Sequence, residues 1–504
     1  MISSKKITLI SILLTAAAFM FTVAVMLYCG AGPIYGEDTT FAAEDMYTEY
    51  ADSPYETIEL TGDTAVSDSS GVLIDGGSIT ILGGGVYVIS GTLDNGSITV
   101  NAEDGAEVRL VLNGASITSS DYSAIYVKEA AKTVISIEDG TENYISDGSE
   151  YDTTRLDDGK PSATLYSKDD LTINGGGKLT VCGNYLNGIK VNDTLKITGG
   201  ELCITAVNDG INVNDLLAVK GGIFTIAVGD DAVHSDMNVM LEPESMDITS
   251  SYEGIEGAYV TINGGEIRIV SSDDGINATG AETEEMPGGP GRADGSAKPK
   301  TDGEDIFLNI NGGNIYIKAS GDGIDSNGSA LMSGGNVQVY GPGNSGNSSI
   351  DVGDGGYVFI MNGGTLTAAG SSGMAEYPYN GSQQRSVVFF LSEEYEAGST
   401  LTVKDSAGNE LGTWTSGSRF SFVCLSTADI AENETYTLYI NGSETATVES
   451  AETVSVYGNA AGAGGMGGRG GMRGGMNETD GVAMAQDNTV GAQSAPAERR
   501  QSER

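Results

Sequence analysis

Asp209-Gly210-Ile211, Asp231-Ala232-Val233, Glu253-Gly254-Ile255 and Asp274-Gly275-Ile276 repeat one tripeptide pattern at intervals of 22, 22 and 21 residues. Asn187-Gly188-Ile189 stands 22 residues before the first, and Asp322-Gly323-Ile324 stands 48 after the last. A second beat keeps time with it: Gly-Gly pairs fall at 176–177, 199–200, 221–222, 264–265, 312–313, 334–335 and 363–364, with Pro243-Glu244 in the place of one missing pair. Between the beats lie short alternating runs such as Val86-Tyr87-Val88-Ile89 and Ile98-Thr99-Val100, which are strand signals without a helical period. A period near 22 suits a coil of three short strands, each paired with its equivalent in the next coil at about 4.8 Å. The repeated Ile and Val are expected to point inward and stack, while Gly permits turns with positive φ. The fold expected is therefore an all-β solenoid, a parallel β-helix of about 22-residue coils. A leucine-rich repeat has a similar period, but its Leu scaffold is absent.

Working outward, residues 58–384 are expected to form the solenoid, with a Gly- and Pro-rich loop excursion at 280–303 inside the 48-residue gap. Residues 385–457 change character, with Val387-Val388-Phe389-Phe390, Tyr436-Thr437-Leu438-Tyr439-Ile440, a hairpin break at Asn441-Gly442 and the single Trp414. They read as a small C-terminal β domain that caps the solenoid. Residues 458–504 form a Gly/Met/Arg-rich tail that cannot bury enough apolar surface to fold and is expected to be disordered. Residues 37–57 are acidic and aperiodic and read as a spacer. Residues 1–36 carry Lys5 and Lys6 and then an apolar heart from Ile7 to Tyr28, the pattern of an export signal. Retention as a signal anchor, cleavage and lipidation at Cys29 all lead to an extracellular protein, attached to the cell surface or secreted.

The chain has 504 residues, 70 acidic and 25 basic, and a net charge of −45. Such a surface repels a phosphate backbone, so nucleic acid is excluded as a partner. Membrane contact is expected through the N-terminal segment only, and the protein is expected to be a monomer. Cys182, Cys203 and Cys424 do not make a disulfide framework, and Cys182 and Cys203 align with different positions of the repeat.

Aligned on the inward Ile or Val, the residues two positions earlier are Asp209, Asp231, Glu253, Asp274 and Asp322. Asp230 and Asp273 add a preceding acid, and Asn212, His234, Glu256, Asn277 and Asp325 follow the apolar residue. Two unit charges ~5 Å apart repel by roughly 0.8 kcal/mol in water and ~3 kcal/mol at an effective dielectric of 20. Calcium would offset this, because it takes 6–8 oxygen ligands in flexible geometry. Zinc would want His and Cys, and the chain has one His. The plainer alternative is turn chemistry, since Asp bonds its own turn backbone and Gly takes positive φ. His234 reads as a turn residue or hydrogen-bond partner.

Three segments carry a family resemblance: Asp230-Asp231-Ala232-Val233-His234-Ser235, Ser251-Tyr252-Glu253-Gly254-Ile255-Glu256-Gly257-Ala258 and Ser272-Asp273-Asp274-Gly275-Ile276-Asn277-Ala278. Together with Ser167-Lys168-Asp169-Asp170-Leu171-Thr172-Ile173, they resemble the secreted carbohydrate-binding domain-containing family, which is similar in fold to pectate lyases. The resemblance covers roughly residues 60–450. It implies a right-handed parallel β-helix that holds several calcium ions and attaches to plant cell-wall polysaccharide, including cellulose and acidic pectin-type glycans. It places calcium ligation on Asp209, Asp230, Asp231, Glu253, Glu256, Asp273 and Asp274, with Asp322 and Asp325 following past the excursion.

Three functions fit these residues. The first is non-catalytic, calcium-dependent polysaccharide binding, with Tyr185, Tyr252, Tyr259 and Tyr316 as candidate stacking platforms. The second is a polysaccharide lyase, which needs a base for the proton α to a uronate carboxylate, and Lys190 is the one residue nominated. Lys190 otherwise serves to neutralise stacked acids. The third is a calcium-rigidified structural or adhesive surface protein. The expectation is the first, with Ca2+ as the cofactor and no catalytic residues.

Overall fold

Inward Ile and Val residues are what the structure, a computed structural model, stacks into a continuous core. It describes residues 39–47, 50, 54–103, 105–152, 162–279, 307–343, 346–352 and 357–459. The expected export segment, the 280–303 excursion and nearly all of the tail lie outside them. The fold is all-β and built from a long, mostly parallel stack of strands. In one ladder, Ala163–Ser167, Asn187–Val191 and Ile211–Val213 pair in parallel and lead into Val233–Glu242, Ile255–Ile262, Ile276–Ala278, Ile324–Ser326 and Ile350–Val352. The register joins Ile189, Ile211, Val233, Ile255, Ile276, Ile324 and Ile350, and all seven are fully buried. Each such side chain contributes roughly 1.5–3 kcal/mol by leaving water. The residue between two inward ones, Lys190 between Ile189 and Val191 for example, faces outward and stays partly accessible.

A second ladder runs through Lys132–Ile137, Leu171–Gly175, Thr194–Ile197 and Leu216–Lys220. A third runs through Lys178–Gly183, Glu201–Ala206, Ile223–Val228, Ser245–Ser251, Glu266–Ser271, Asn314–Lys318, Asn336–Tyr340 and Thr365–Gly370. Cys182 stands opposite Thr205 and Cys203 opposite Thr180, so the two thiols are diagonal neighbours and unbridged. Thr365–Gly370 then pairs antiparallel with Phe420–Ser426, which also pairs antiparallel with Ser386–Tyr395. A four-stranded antiparallel sheet of Thr400–Asp405, Glu410–Thr415, Thr435–Ile440 and Ser443–Glu449 follows, and Trp414, Phe389, Phe420 and Tyr436 pack with Tyr340 in one apolar cluster. Ile440 pairs with Ser443 across Asn441-Gly442, both at positive φ, the two-residue hairpin turn that Asn-Gly favours.

Glycine is used in two different ways. Gly200 and Gly313, second members of Gly-Gly pairs, take φ of 98° and 94°. The glycines of the acidic tripeptides do not take positive φ, contrary to the expected turn chemistry. Close approach is their reason: a Cβ on Gly254 would lie 2.3 Å from the Gly275 carbonyl oxygen and 2.4 Å from Ile269 Cγ2. Gly254→Ala is therefore expected to cost about 1–3 kcal/mol of overpacking, read as a lower urea midpoint with an unchanged slope. An unchanged midpoint would mean that the rungs are looser than their register implies.

The stretch read as a spacer is tied down in part. Ala43–Met46 forms one helical turn whose Asp45 is fully buried, hydrogen-bonded to Lys132 and Thr172 of the second ladder.

Candidate metal centre

Three columns of polar residues run along the outside of the first ladder. The turn column is Asn187, Asp209, Asp231, Glu253, Asp274, Asp322 and Ser348, whose carbonyls accept the N–H that follows in the preceding rung, as Gly210 N–H donates to Asp231 and Gly254 N–H to Asp274. Its side chains reach along the same direction. Asp209 Oδ1 accepts from the Asp231 N–H at 3.3 Å, Asp274 Oδ1 from the Asp322 N–H at 2.6 Å and Asp322 Oδ1 from the Ser348 N–H at 2.5 Å. Part of the acidic repeat is thus backbone capping between rungs, where the turn alternative expected bonds within each turn. The second column reads Lys190, Asn212, His234, Glu256, Asn277, Asp325 and Asp351. The third holds Asp230, Tyr252 and Asp273, linked through backbone hydrogen bonds.

Two groups of these side chains converge. Ligand atoms of Asp209, Asp230 and Asp231 lie within 4.8 Å of one another, and so do those of Asp231, His234 and Glu256. His234 Nδ1 is 2.7 Å from Glu256 Oε2 and 3.3 Å from Asp231 Oδ2, and its Nε2 is 3.0 Å from Asp236 Oδ1. Burial opposes a charge on this ring, but the hydrogen bonds to Asp231, Asp236 and Glu256 outweigh it and hold the imidazole protonated. His234 is therefore a built-in cation on the ladder. Lys190 is the second, its ammonium bonded to Asn212 and, at 2.5 Å, to Asn214, with burial pulling its pKa down.

Farther along, Asn277 Nδ2 donates to Glu253 Oε2 at 2.9 Å, while Asn277 Oδ1 is buried with no hydrogen-bond partner among the described residues. Burial pushes the Glu253 carboxyl up to about 8, with Glu256, Asp231 and Asp274 adding to it against the Asn277 hydrogen bond. Burial also raises Asp209 and Asp274 to about 6 and Asp322 to about 7. Asp231 is raised by burial and by Glu256.

Of the nine residues expected to bind metal, Asp209, Asp230 and Asp231 meet in one group, and Glu256 meets Asp231 and His234 in a second that shares Asp231. Glu253 and Asp274 interact on the next rungs, and Asp322 joins Asp274 and Asp325 beyond them. Asp273 is separated along its column from Asp230 by Tyr252, to which it is hydrogen-bonded. Sequence reasoning missed Asp236 and Asp351. Asp351 follows an inward Ile as Asp325 does, but Ser348-Ser349 replaces the Asp-Gly signal before it.

Among the tyrosines, Tyr259 is buried and Tyr185 stacks on Tyr151 at 4.3 Å between ring centres. Tyr252 is 47% exposed. Tyr316 borders an open depression of about 350 Å³ on the third ladder, with Asp247, Glu266, Arg268, Asn314 and Gln338. The Arg268 guanidinium carbon lies 5.6 Å from the Tyr316 ring centre, and its Nη1 lies 3.1 Å from Asp247 Oδ1.

Residues 75–242 match the family model described as carbohydrate-binding domain-containing protein. A carbohydrate-binding domain-containing protein of Acetivibrio thermocellus is 43% identical over 122 residues, which are 24% of this chain and 43% of that relative. The matched stretch thus spans less than half of the relative's length. A solved structure described as the polysaccharide lyase-like protein from C. thermocellum, as a gadolinium derivative, is 29% identical and covers 61% of this chain and 97% of its own. Its TM-score is 0.38. The resemblance expected from the sequence is found in the stretch that holds Asp209, Asp230, Asp231 and Lys190.

Proposed function

We propose that this protein, whose residues 75–242 match a carbohydrate-binding family, binds polysaccharide without cleaving it and uses calcium to do so. On this reading the stack is a right-handed parallel β-helix, extracellular and held at a cell surface or secreted. The observation that carries the calcium part is the convergence of Asp209, Asp230 and Asp231. With Asp236 and Glu256 they make five carboxylates, which face two cations, Lys190 and His234. The donors fit calcium, being nearly all oxygen and partly preorganised by the rungs. Asn277 Oδ1 is a further buried oxygen beside Glu253 that has no hydrogen-bond partner among the described residues. A calcium ion would supply the positive charge these carboxylates lack and open coordination positions for sugar oxygens. The carboxylates of Asp209, Asp230 and Asp231 would hold it. Asp231 is central because it belongs to both converging groups.

Tyr316 with Arg268, Asn314 and Gln338 offers the polar and aromatic surface that a sugar ring requires. Calorimetric titration of the chelated protein is expected to show calcium binding with a Kd on the order of 10⁻⁴–10⁻³ M, the range of extracellular modules. Asp231→Asn is expected to weaken it at least tenfold, about 1.4 kcal/mol. Pull-down on pectin and cellulose with calcium and with chelator then tests the carbohydrate part. Absence of calcium binding at millimolar concentration sinks the proposal.

One observation favours the lyase as a second reading: burial lowers the pKa of Lys190 beside the acidic group, as a base requires. Its ammonium is nonetheless engaged by Asn212 and Asn214. Release of unsaturated uronides that is lost in Lys190→Met would establish it.

A further inference from the structure

Residues 39–47 lie across a strip of the second ladder, to which Glu107–Thr118 also belongs through its parallel pairing with Lys132–Ile137, and the contacts between them share one direction. Lys132 Nζ and Thr172 Oγ1 donate to Asp45 Oδ1 at 2.5 and 2.7 Å, and Lys196 Nζ lies 3.8 Å from Asp45 Oδ2. Asn174 Nδ2 and Thr198 Oγ1 donate to the Asp45 carbonyl at 3.0 and 2.7 Å. Arg109 Nη1 and Asn174 Nδ2 donate to the Tyr47 carbonyl at 2.8 and 3.0 Å, and Lys196 Nζ donates to the Thr40 carbonyl at 2.8 Å. In each of these the ladder provides the donor and the segment provides an oxygen. The ring of Phe41 lies 5.6 Å from Lys220 Nζ and 6.0 Å from Lys196 Nζ.

Such a strip is out of character for the chain. With 25 basic residues against 70 acidic ones, it gathers Arg109, Lys132, Lys196 and Lys220 on one face. A fully buried carboxylate with two ammonium groups and a hydroxyl around it is what a site for an anionic ligand looks like when its own chain fills it. Burial opposes the charge on Asp45, and the bonds from Lys132 and Thr172 overcome it and hold its pKa below the usual range. Thr172 and Lys196 stand in register on adjacent strands, so the donors repeat at the rung spacing of about 4.8 Å. A chain ligand with an oxygen-rich repeat and carboxylates could follow them. All of these donors fall inside residues 75–242, the stretch that matches the carbohydrate-binding family.

We propose that this strip is a second binding site, for carboxylate-bearing oligosaccharide and independent of calcium, and that residues 39–47 are an internal occupant which such a ligand displaces. The ligand class rests on the carbohydrate reading above, whereas the site and its independence of metal do not. Hydrogen exchange on the full chain in chelator, with trigalacturonate as the probe, tests it. The Asp45 and Tyr47 amides are hydrogen-bonded to the Ala42 and Ala43 carbonyls and report release of the segment. Millimolar trigalacturonate is expected to speed their exchange at least tenfold, with no effect from the neutral galactose trisaccharide. Asp45→Asn is expected to bind the probe at least tenfold more tightly than the native chain, and the added Lys196→Met to cancel that gain. Unchanged exchange of the native chain at saturating probe would overturn the proposal and make the segment a fixed part of the fold. Binding that appears only with calcium and vanishes in Asp231→Asn would overturn it too, while upholding the calcium-dependent reading.

Discussion

In chelator, the melting temperature of this protein is expected to fall as the pH is raised from about 5 to about 9, and millimolar calcium is expected to offset part of the fall. The reason lies in the buried carboxyls of the ladder. Glu253 titrates near 8, Asp322 near 7, and Asp209 and Asp274 near 6, because burial disfavours their charged forms. In the unfolded chain such groups titrate near ~4. Between those values the native chain holds protons that the unfolded chain has released, so raising the pH favours unfolding. Protonated His234 acts in the same direction. Its folded pKa lies above the ordinary 6.5, so its stabilisation is complete below that value and is lost as the pH climbs through the folded one.

Each tenfold difference in proton affinity is worth ~1.4 kcal/mol, so over this range the ladder as a whole loses on the order of 10 kcal/mol, roughly 10 °C in Tm for a chain of this length. Calcium at about 10 times its Kd, which millimolar calcium reaches at the tighter end of the expected range, restores about 1.4 kcal/mol per site. Its effect is larger at the higher pH, where it does not compete with bound protons. A Tm in chelator that rises between about pH 5 and 8 would refute the account of buried, protonated carboxyls. A calcium effect that is equal at both ends would show that the ion binds elsewhere.

What the sequence made legible is what repeats. The stacked Ile and Val column, the Gly-Gly beat and the Asn441-Gly442 hairpin are local patterns, and each stands in the structure where its spacing puts it. The acids in register were equally visible, but their geometry was not. Periodicity places Asp209 and Asp231 in one column, yet only the backbone path shows that one carboxylate caps the next rung's N–H while Asp230 closes in from the side. The Gly of each acidic tripeptide was assigned a conformational role and turned out to have a steric one, because contact with the next rung is invisible in a single rung. The contacts of the 39–47 segment, read only as part of a spacer, left no mark in the sequence. The segment has no period, and its partners lie far away in sequence, with Asp45 meeting Lys132, Thr172 and Thr198.

His234→Gln is expected to weaken the protein in chelator and to tighten its hold on calcium, a combination that no simple loss of a ligand produces. The ring is the one cation set directly among Asp231, Asp236 and Glu256. Removing a charged partner from a buried network costs about 3–5 kcal/mol at neutral pH, since the carboxylates left behind must repel or take up a proton. Millimolar calcium should restore part of that loss, about 1.4–2.7 kcal/mol once the Kd has tightened tenfold. The imidazolium and the metal answer the same excess of carboxylate charge, and a divalent ion reaching Asp231 must work against the charge already beside it. Without that competitor the calcium affinity at about pH 7 should rise at least tenfold, and the proton that His234 carries should no longer be released on binding. Isothermal titration in two buffers of different ionisation heat measures both. If the affinity instead falls tenfold, His234 is itself a ligand through Nδ1 or Nε2. The centre is then one for a softer ion than calcium, and the ladder's acids are its surround.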